Sequence, residues 1–159
     1  MIGAKIMDIR KAISNDIPEI NKLFWELDTD AIKYQPEHFQ RSERTEDYLM
    51  GIIKSQKSDF LIAVLDNEII GFSLLYENEL KGVSLLIPCK YAYLQDFVVK
   101  EKYRNHGIGT QLLEASKQWA KERNMEYLRL SVFPSNDSGI RFYKRHGLLE
   151  KMLTMECSL

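Results

Sequence analysis

Apolar and polar positions along the chain follow two periods, and each change of period marks a new element. Ile6, Asp8 and Arg10 alternate with Met7, Ile9 and Lys11, so Lys5–Ala12 reads as a first strand. Ile17, Ile20, Phe24 and Leu27 then recur at helical spacing, with Asn15 or Asp16 as cap, Pro18 in the first turn and Glu19 placed for a capping box. Asp28 to Arg44 is polar and irregular, contains Pro36 and His38, and is long for a connector. A second helix over roughly Thr45–Ser55 turns Tyr48, Leu49, Ile52 and Ile53 inward. Phe60–Leu65 and Ile69–Tyr76 form an antiparallel hairpin around Asp66-Asn67-Glu68. Between Asn78 and Cys89, the apolar run Val83–Ile87 either extends a hairpin or packs over the sheet.

Tyr93–Val99, rich in aromatic and β-branched residues, reads as a buried strand. Gly107 and Gly109 follow in a turn, and from Thr110 to about Arg123 the period is helical, with Leu112, Leu113, Ser116, Trp119 and Ala120 on one face. Tyr127–Val132 is the next strand. Pro134–Asn136 opens a short helix carrying Ile140, Phe142 and Tyr143, closed by Gly147, and Leu149–Leu159 is a last strand. The order β-α-α-β-β-β-α-β-α-β joins an antiparallel hairpin to a β-α-β crossover, which means an α/β sheet with mixed pairing.

The 159 residues suffice for one domain, 1–159, and no repeat or linker divides them. The longest apolar run, Phe60–Leu65, is too short to span a bilayer, and the N-terminus lacks the apolar region of a signal peptide. Cys89 and Cys157 have neither metal nor redox spacing, so we expect ordinary thiols in a reducing cytoplasm and no bound metal. His38, His106 and His146 form no ligand cluster. A net charge of −1 argues against nucleic acid as a partner. The charge is uneven, however: residues 1–80 carry 15 acidic and 9 basic side chains, residues 81–159 carry 8 and 13. A basic C-terminal half suits an anionic ligand, and an acidic N-terminal half suits a cationic one.

The strand–turn–helix around Gly107 locates that anion. Backbone N–H groups at a helix N-terminus have no intrahelical partners, glycines let a ligand approach, and the helix dipole favours negative charge. A third glycine for a dinucleotide fingerprint is missing, and so is the Gly-Lys-Ser/Thr of a nucleotide P-loop. The run Arg104-Asn105-His106-Gly107-Ile108-Gly109, together with Asn136-Asp137-Ser138-Gly139-Ile140-Arg141-Phe142-Tyr143, resembles the GNAT superfamily of N-acetyltransferases. The element order resembles the GNAT fold along nearly the whole chain. Leu94-Gln95-Asp96-Phe97 and Phe142-Tyr143-Lys144-Arg145 are similar to polyamine (diamine) acetyltransferases, and peptide N-terminal acetyltransferases share the general pattern.

The resemblance implies a mostly antiparallel sheet flanked by helices, with splayed central strands. It implies acetyl-coenzyme A as co-substrate, its diphosphate held by Arg104, Asn105, His106, Gly107, Ile108, Gly109 and Thr110, and its pantetheine arm by Phe97, Val98 and Val99. A backbone N–H of that strand, with Val98 the choice, faces the thioester oxygen. Tyr143 matches the family's general acid, against the ordinary alternative of a core tyrosine. Asn136 caps its helix and also contacts the arm. The glutamate of polyamine acetyltransferases is replaced by Gln95, which positions a water but accepts no proton. Asp96 next to it points to the other sheet face in a regular strand. Acetyl transfer to a primary amine of a small molecule or peptide, by a homodimer without nucleic-acid or membrane partners, is the function implied. The alternative is a non-catalytic acyl-coenzyme A sensor on the same fold.

Overall fold

A computed structural model describes residues 7–159; Lys5 and Ile6, where the first strand is expected to begin, and the N-terminal run compared above with a signal peptide lie outside the described residues. Five strands form one sheet in the order β1-β2-β3-β4-β5, with β1 over Met7–Lys11, β2 over Ser58–Leu65, β3 over Glu68–Leu80, β4 over Cys89–Val99 and β5 over Tyr127–Arg129. Neighbours from β1 to β4 are antiparallel, and β4 pairs with β5 in parallel. Among the described residues four helices flank the sheet: α1 over Ile17–Tyr34, α2 over Glu46–Lys54, α3 over Ile108–Glu122 and α4 over Asp137–Arg145.

Strand alternation sends side chains to two separate cores, as a period of two requires. Ile20, Leu23 and Phe24 of α1 and Leu49 and Ile52 of α2 meet Phe60, Ile62, Phe72, Leu74 and Val98 on one face. Leu112, Leu113 and Trp119 of α3 meet Ala63, Ile70, Leu75, Leu94 and Val99 on the other, with Phe142 and Tyr143 of α4 packed alongside. In this second core a buried hydroxyl pair is satisfied, Ser116 donating to Ser73 Oγ at 2.9 Å.

Several elements depart from the sequence expectation for identifiable reasons. α1 runs on to Tyr34, so the irregular stretch starts at Gln35 rather than Asp28. Asp28 is buried and accepts two hydrogen bonds from Arg44, at 2.5 and 2.7 Å, which a polar reading of the sequence cannot foresee. Asp16 sits at the N-cap of α1 but makes no side-chain cap; its carboxylate accepts instead from Ile13 N–H at 2.8 Å and from Arg10. Glu19 pairs with Lys22 rather than closing a capping box. Tyr48 is exposed, not inward. Val83–Ile87 neither extends the hairpin nor covers the sheet: Leu85 and Ile87 are each 88 % exposed. The expected last strand is the largest correction. No residue from Leu149 to Leu159 is paired as a strand, and the segment is exposed throughout.

Candidate active site

The pairing of β4 with β5 spans only three positions, Tyr91↔Tyr127, Ala92↔Leu128 and Tyr93↔Arg129. β4 continues to Val99 with no β5 partner, so the two strands diverge and leave the edge of β4 open. Which β4 groups line that opening follows from register. Lys100 N–H donates to Ile70 C=O at 2.8 Å, so Lys100 faces β3. In an antiparallel ladder successive residues present their N–H and C=O to opposite sides. Val98, opposite Phe72, therefore also faces β3, and Phe97 and Val99 face the opening. Arg104 Nε reaches Val99 C=O at 2.8 Å from that side. The Val98 N–H, expected to face the thioester, is thus turned to β3, and the Phe97 N–H faces the opening.

The loop after β4 is braced from two directions. The turn Glu101–Tyr103 is tied to the β2–β3 hairpin by Glu68, which accepts from Tyr103 Oη at 2.6 Å and from Lys100 Nζ at 2.9 Å. Those donors, led by the tyrosine hydroxyl, hold the Glu68 carboxyl down to about 2. Arg104 binds Asp30 of α1 at 3.1 Å as well as Val99, so its guanidinium is committed to the protein and sets the loop's course. His106 Nδ1 lies 2.7 Å from Arg104 C=O. Asn105 and Gly107 have φ of 63° and 81°, a conformation glycine adopts without cost. Gly107 is the N-cap of α3, no side chain caps the helix, and its first turn holds no acidic residue. The N–H groups of Ile108, Gly109 and Thr110 are left for an external acceptor.

At Gly109, a Cβ would lie 3.5 Å from the Phe142 ring and 3.9 Å from the Phe97 ring. Phe97 in turn has ring centroids 6.0 Å from Phe142 and 6.2 Å from Tyr143. The helix N-terminus, the open strand edge and α4 therefore converge at one place. Burial pushes the Tyr143 phenol up to about 12, so it stays protonated and acts as a donor. Asn136 Oδ1 caps α4 by accepting Gly139 N–H at 3.0 Å, and its amide nitrogen has no partner among the described residues. Gly147, at φ 86°, ends that helix, with Leu148 N–H donating to Tyr143 C=O at 3.1 Å.

A bulge decides the fate of Gln95 and Asp96. Leu74 pairs with Asp96 but Leu75 pairs with Leu94, so Gln95 is an extra residue in β4. Beyond it the alternation is reset. Asp96 lies opposite the core residue Leu74 and so shares the face of α1 and α2, contrary to the regular-strand expectation. Arg44 and Asp28 act on it from that face, and so does Tyr76, whose hydroxyl pairs with Tyr48. Desolvation first, then the Asp28 charge, push the Asp96 carboxyl up to about 6, against the opposing pull of Arg44. Arg44 spends its fork on Asp28 and stacks over Phe24 at 4.2 Å. No described residue hydrogen-bonds the Asp96 carboxylate, and its oxygens are not sealed from solvent. The signal available in the sequence is the adjacent acid itself; its face is not readable there. Among the described residues no group of histidine, cysteine or carboxylate side chains could hold a metal.

The family model described as the acetyltransferase (GNAT) family matches residues 17–148. The chain belongs to this family. It is an acetyl-coenzyme A-dependent acetyltransferase, on an α/β GNAT fold with a mixed five-stranded sheet. An N-alpha-acetyltransferase of Sulfurisphaera tokodaii is 35 % identical over 104 residues, covering 62 % of this chain and 60 % of that one. The F44R variant of the BH1408 protein of Bacillus halodurans superposes with a TM-score of 0.91 at 24 % identity, covering 96 % of this chain and 99 % of that one. The aminoglycoside N-acetyltransferase AAC(6')-Iy, solved in complex with CoA, superposes with a TM-score of 0.74 at 17 % identity, covering 100 % and 98 %. At these identities the two structures speak to the fold. No helix among the described residues is long and apolar enough to cross a membrane.

Proposed function

We propose that the chain, working as a cytoplasmic homodimer of one domain per copy, transfers an acetyl group from acetyl-coenzyme A to a primary amine of a small molecule or peptide. The observation that carries this is the convergence of the open β4 edge, the uncapped α3 N-terminus and Tyr143 around Phe97 and Gly109. These residues fit the co-substrate: bare helix N–H groups suit a diphosphate, and an unpaired strand edge suits the amides of a pantetheine arm. Arg104, Asn105 and His106 shape the diphosphate loop, and Ile108, Gly109 and Thr110 donate to it. The Asn136 amide is free to reach the arm.

When bound, acetyl-coenzyme A supplies a thioester carbonyl for attack by the amine. Phe97 N–H donates to the oxygen on which charge develops; one such donor is worth about 3–4 kcal/mol in other acyl-transfer sites. Val99 holds the arm. Tyr143 donates its hydroxyl hydrogen bond to the departing thiolate. A phenol near 12 loses its proton to a thiolate of about 8.5 only uphill by roughly 3–4 units, so stabilisation by hydrogen bonding is its main contribution. Asp96 takes the amine proton, through a water that Gln95 positions. An alkylamine of pKa about 10.4 is some 3 units from neutral at pH 7.4, about 4 kcal/mol, so it needs such a base. An α-amine near 8 needs it far less.

A free carboxylate beside the oxyanion donor favours an enzyme over the sensor reading. Release of free coenzyme A should be assayed against polyamines, aminoglycosides, amino acids and short peptides, with calorimetry for acetyl-coenzyme A itself. We expect binding without acceptor and thiol release with at least one amine class. Absence of binding removes the reading; binding without release to any amine returns the sensor.

A further inference from the structure

The side of the β4 opening that faces α1 and α2 is walled by rings. Tyr76 and Tyr93 lie opposite each other in the β3–β4 ladder, and Tyr76 packs on the first core, so both stand on the face that also carries Asp96. Across the opening, Tyr93 Oη lies 3.0 Å from Ser131 Oγ, just past β5. Two residues further, Phe133 meets Tyr34 at the end of α1, with ring centroids 5.5 Å apart. It also meets Phe39 of the following loop edge-on at 5.2 Å. Tyr34, Phe39 and Phe133 belong to neither core. Phe39 is 42 % exposed and the other two are half-buried. Rings gathered outside a core, beside an open strand edge, leave apolar surface that a ligand can cover.

The charges around these rings are mostly committed. Asp28 holds Arg44, Glu156 holds His38 and Asp30 holds Arg104. Glu37 and Glu43 of the loop stand in solvent. Asp96 has no hydrogen-bond partner among the described residues and stays open to one cation. A second cation beside the first would meet the Arg44 guanidinium, whose charge already acts on Asp96, and would find no half-buried carboxylate to spare. Such a site suits one ammonium group on an apolar body and does not suit a polycation.

We propose that the acceptor is a primary monoamine carried on an aromatic body, its nitrogen at Asp96 and its ring among Tyr34, Phe39 and Phe133. The acceptor ring extends the edge-to-face arrangement that Phe39 and Phe133 already make. This rests on the acetyl-transfer reading and narrows its acceptor. In the transfer the amine nitrogen bonds to the acetyl carbon and the carbon–sulfur bond breaks. The amine proton passes through water to Asp96, and coenzyme A leaves as its thiolate, hydrogen-bonded by Tyr143.

2-Phenylethylamine, n-butylamine, spermidine and kanamycin should be compared by two measurements. One is calorimetric binding to the protein saturated with coenzyme A, which cannot turn over; the other is thiol release from acetyl-coenzyme A. 2-Phenylethylamine should lead the other three by at least ~10-fold in Kd and in kcat/KM. Phe39→Leu and Phe133→Leu should each cut its lead over n-butylamine about 3-fold or more, with circular dichroism confirming the fold. A lead for spermidine or kanamycin, n-butylamine level with 2-phenylethylamine, or a lead that survives both leucine variants overturns the proposal. Ring preference in binding without thiol release keeps the aromatic site and removes the enzyme. Thiol release led by a polycation keeps the enzyme and removes the aromatic site.

Discussion

Replacing Asp96 by asparagine should make the protein more stable and a worse catalyst, and both effects should depend on pH. The carboxyl is raised from 3.8 to about 6 by burial. The folded state therefore binds the proton more tightly than the unfolded state. Keeping the group ionised costs nothing below about pH 4, costs progressively more up to about pH 6, and is constant above that. Two units correspond to about 3 kcal/mol, or roughly 6–12 °C in Tm for a chain of this size. The asparagine side chain carries no charge and escapes this cost, though its amide must be hydrated. Urea titrations at pH 4 and 7.5 isolate the charge term, since the amide contribution is the same at both. The variant should gain up to about 3 kcal/mol on wild type between those pH values. Turnover on an alkylamine should fall about 10²–10⁴-fold, with the wild-type acid limb near pH 6 lost. Stability curves of wild type and Asp96→Asn that run parallel from pH 4 to 7.5 would refute the burial argument, whatever the kinetics. Arg44, Asp28 and Tyr76 face the carboxyl, and Arg44→Met should raise its apparent value further, visible as an upward move of the acid limb.

Tyr143→Phe keeps the ring packed on Phe97 and Phe142, so acetyl-coenzyme A affinity should stay within a few-fold while kcat drops about 100-fold or more; unchanged kcat, with chemistry rate-limiting, returns Tyr143 to the core. Gly109→Leu places a side chain into the Phe142 ring and should abolish calorimetric acetyl-coenzyme A binding with circular dichroism preserved. Glu68→Gln loosens the turn before Arg104 and should raise the dissociation constant for acetyl-coenzyme A without altering acceptor preference. Its carboxyl is held at about 2, so the bracing is complete above about pH 4.5 and lost as pH falls from there toward 2, which a pH series of binding would trace.

The parts legible in the sequence are those where local chemistry is sufficient. Gly107 announces its turn, Asn136 and Gly147 bound α4, and the apolar periods of Leu112 to Ala120 set α3. What escapes the sequence depends on partners. The bulge at Gln95 shifts alternation by a single residue, leaves no compositional trace and sends Asp96 to the opposite face. Whether Phe97 or Val98 faces the opening is fixed by which of them β3 has taken, and Lys100 reveals that only once paired with Ile70. α1 outruns its apolar stripe because Asp28 finds Arg44 and Asp30 finds Arg104, both distant in sequence. The strand-like pattern of Leu149–Leu159 is plain in the residues, but pattern alone does not supply a pairing edge, and no strand forms there.

The two cores share nothing but the sheet between them. One holds α1 and α2, the other α3 and α4, and along β4 they are interleaved residue by residue: Val98 belongs to the first, Val99 to the second. Drift in α2 can therefore remodel the wall around Asp96 while the opposite wall, which meets Phe97 and Gly109, keeps its shape; α1 is less free, because its Asp30 holds Arg104. On the proposed reading, an acceptor pocket on the α2 side can be rebuilt without disturbing the grip on the acetyl donor.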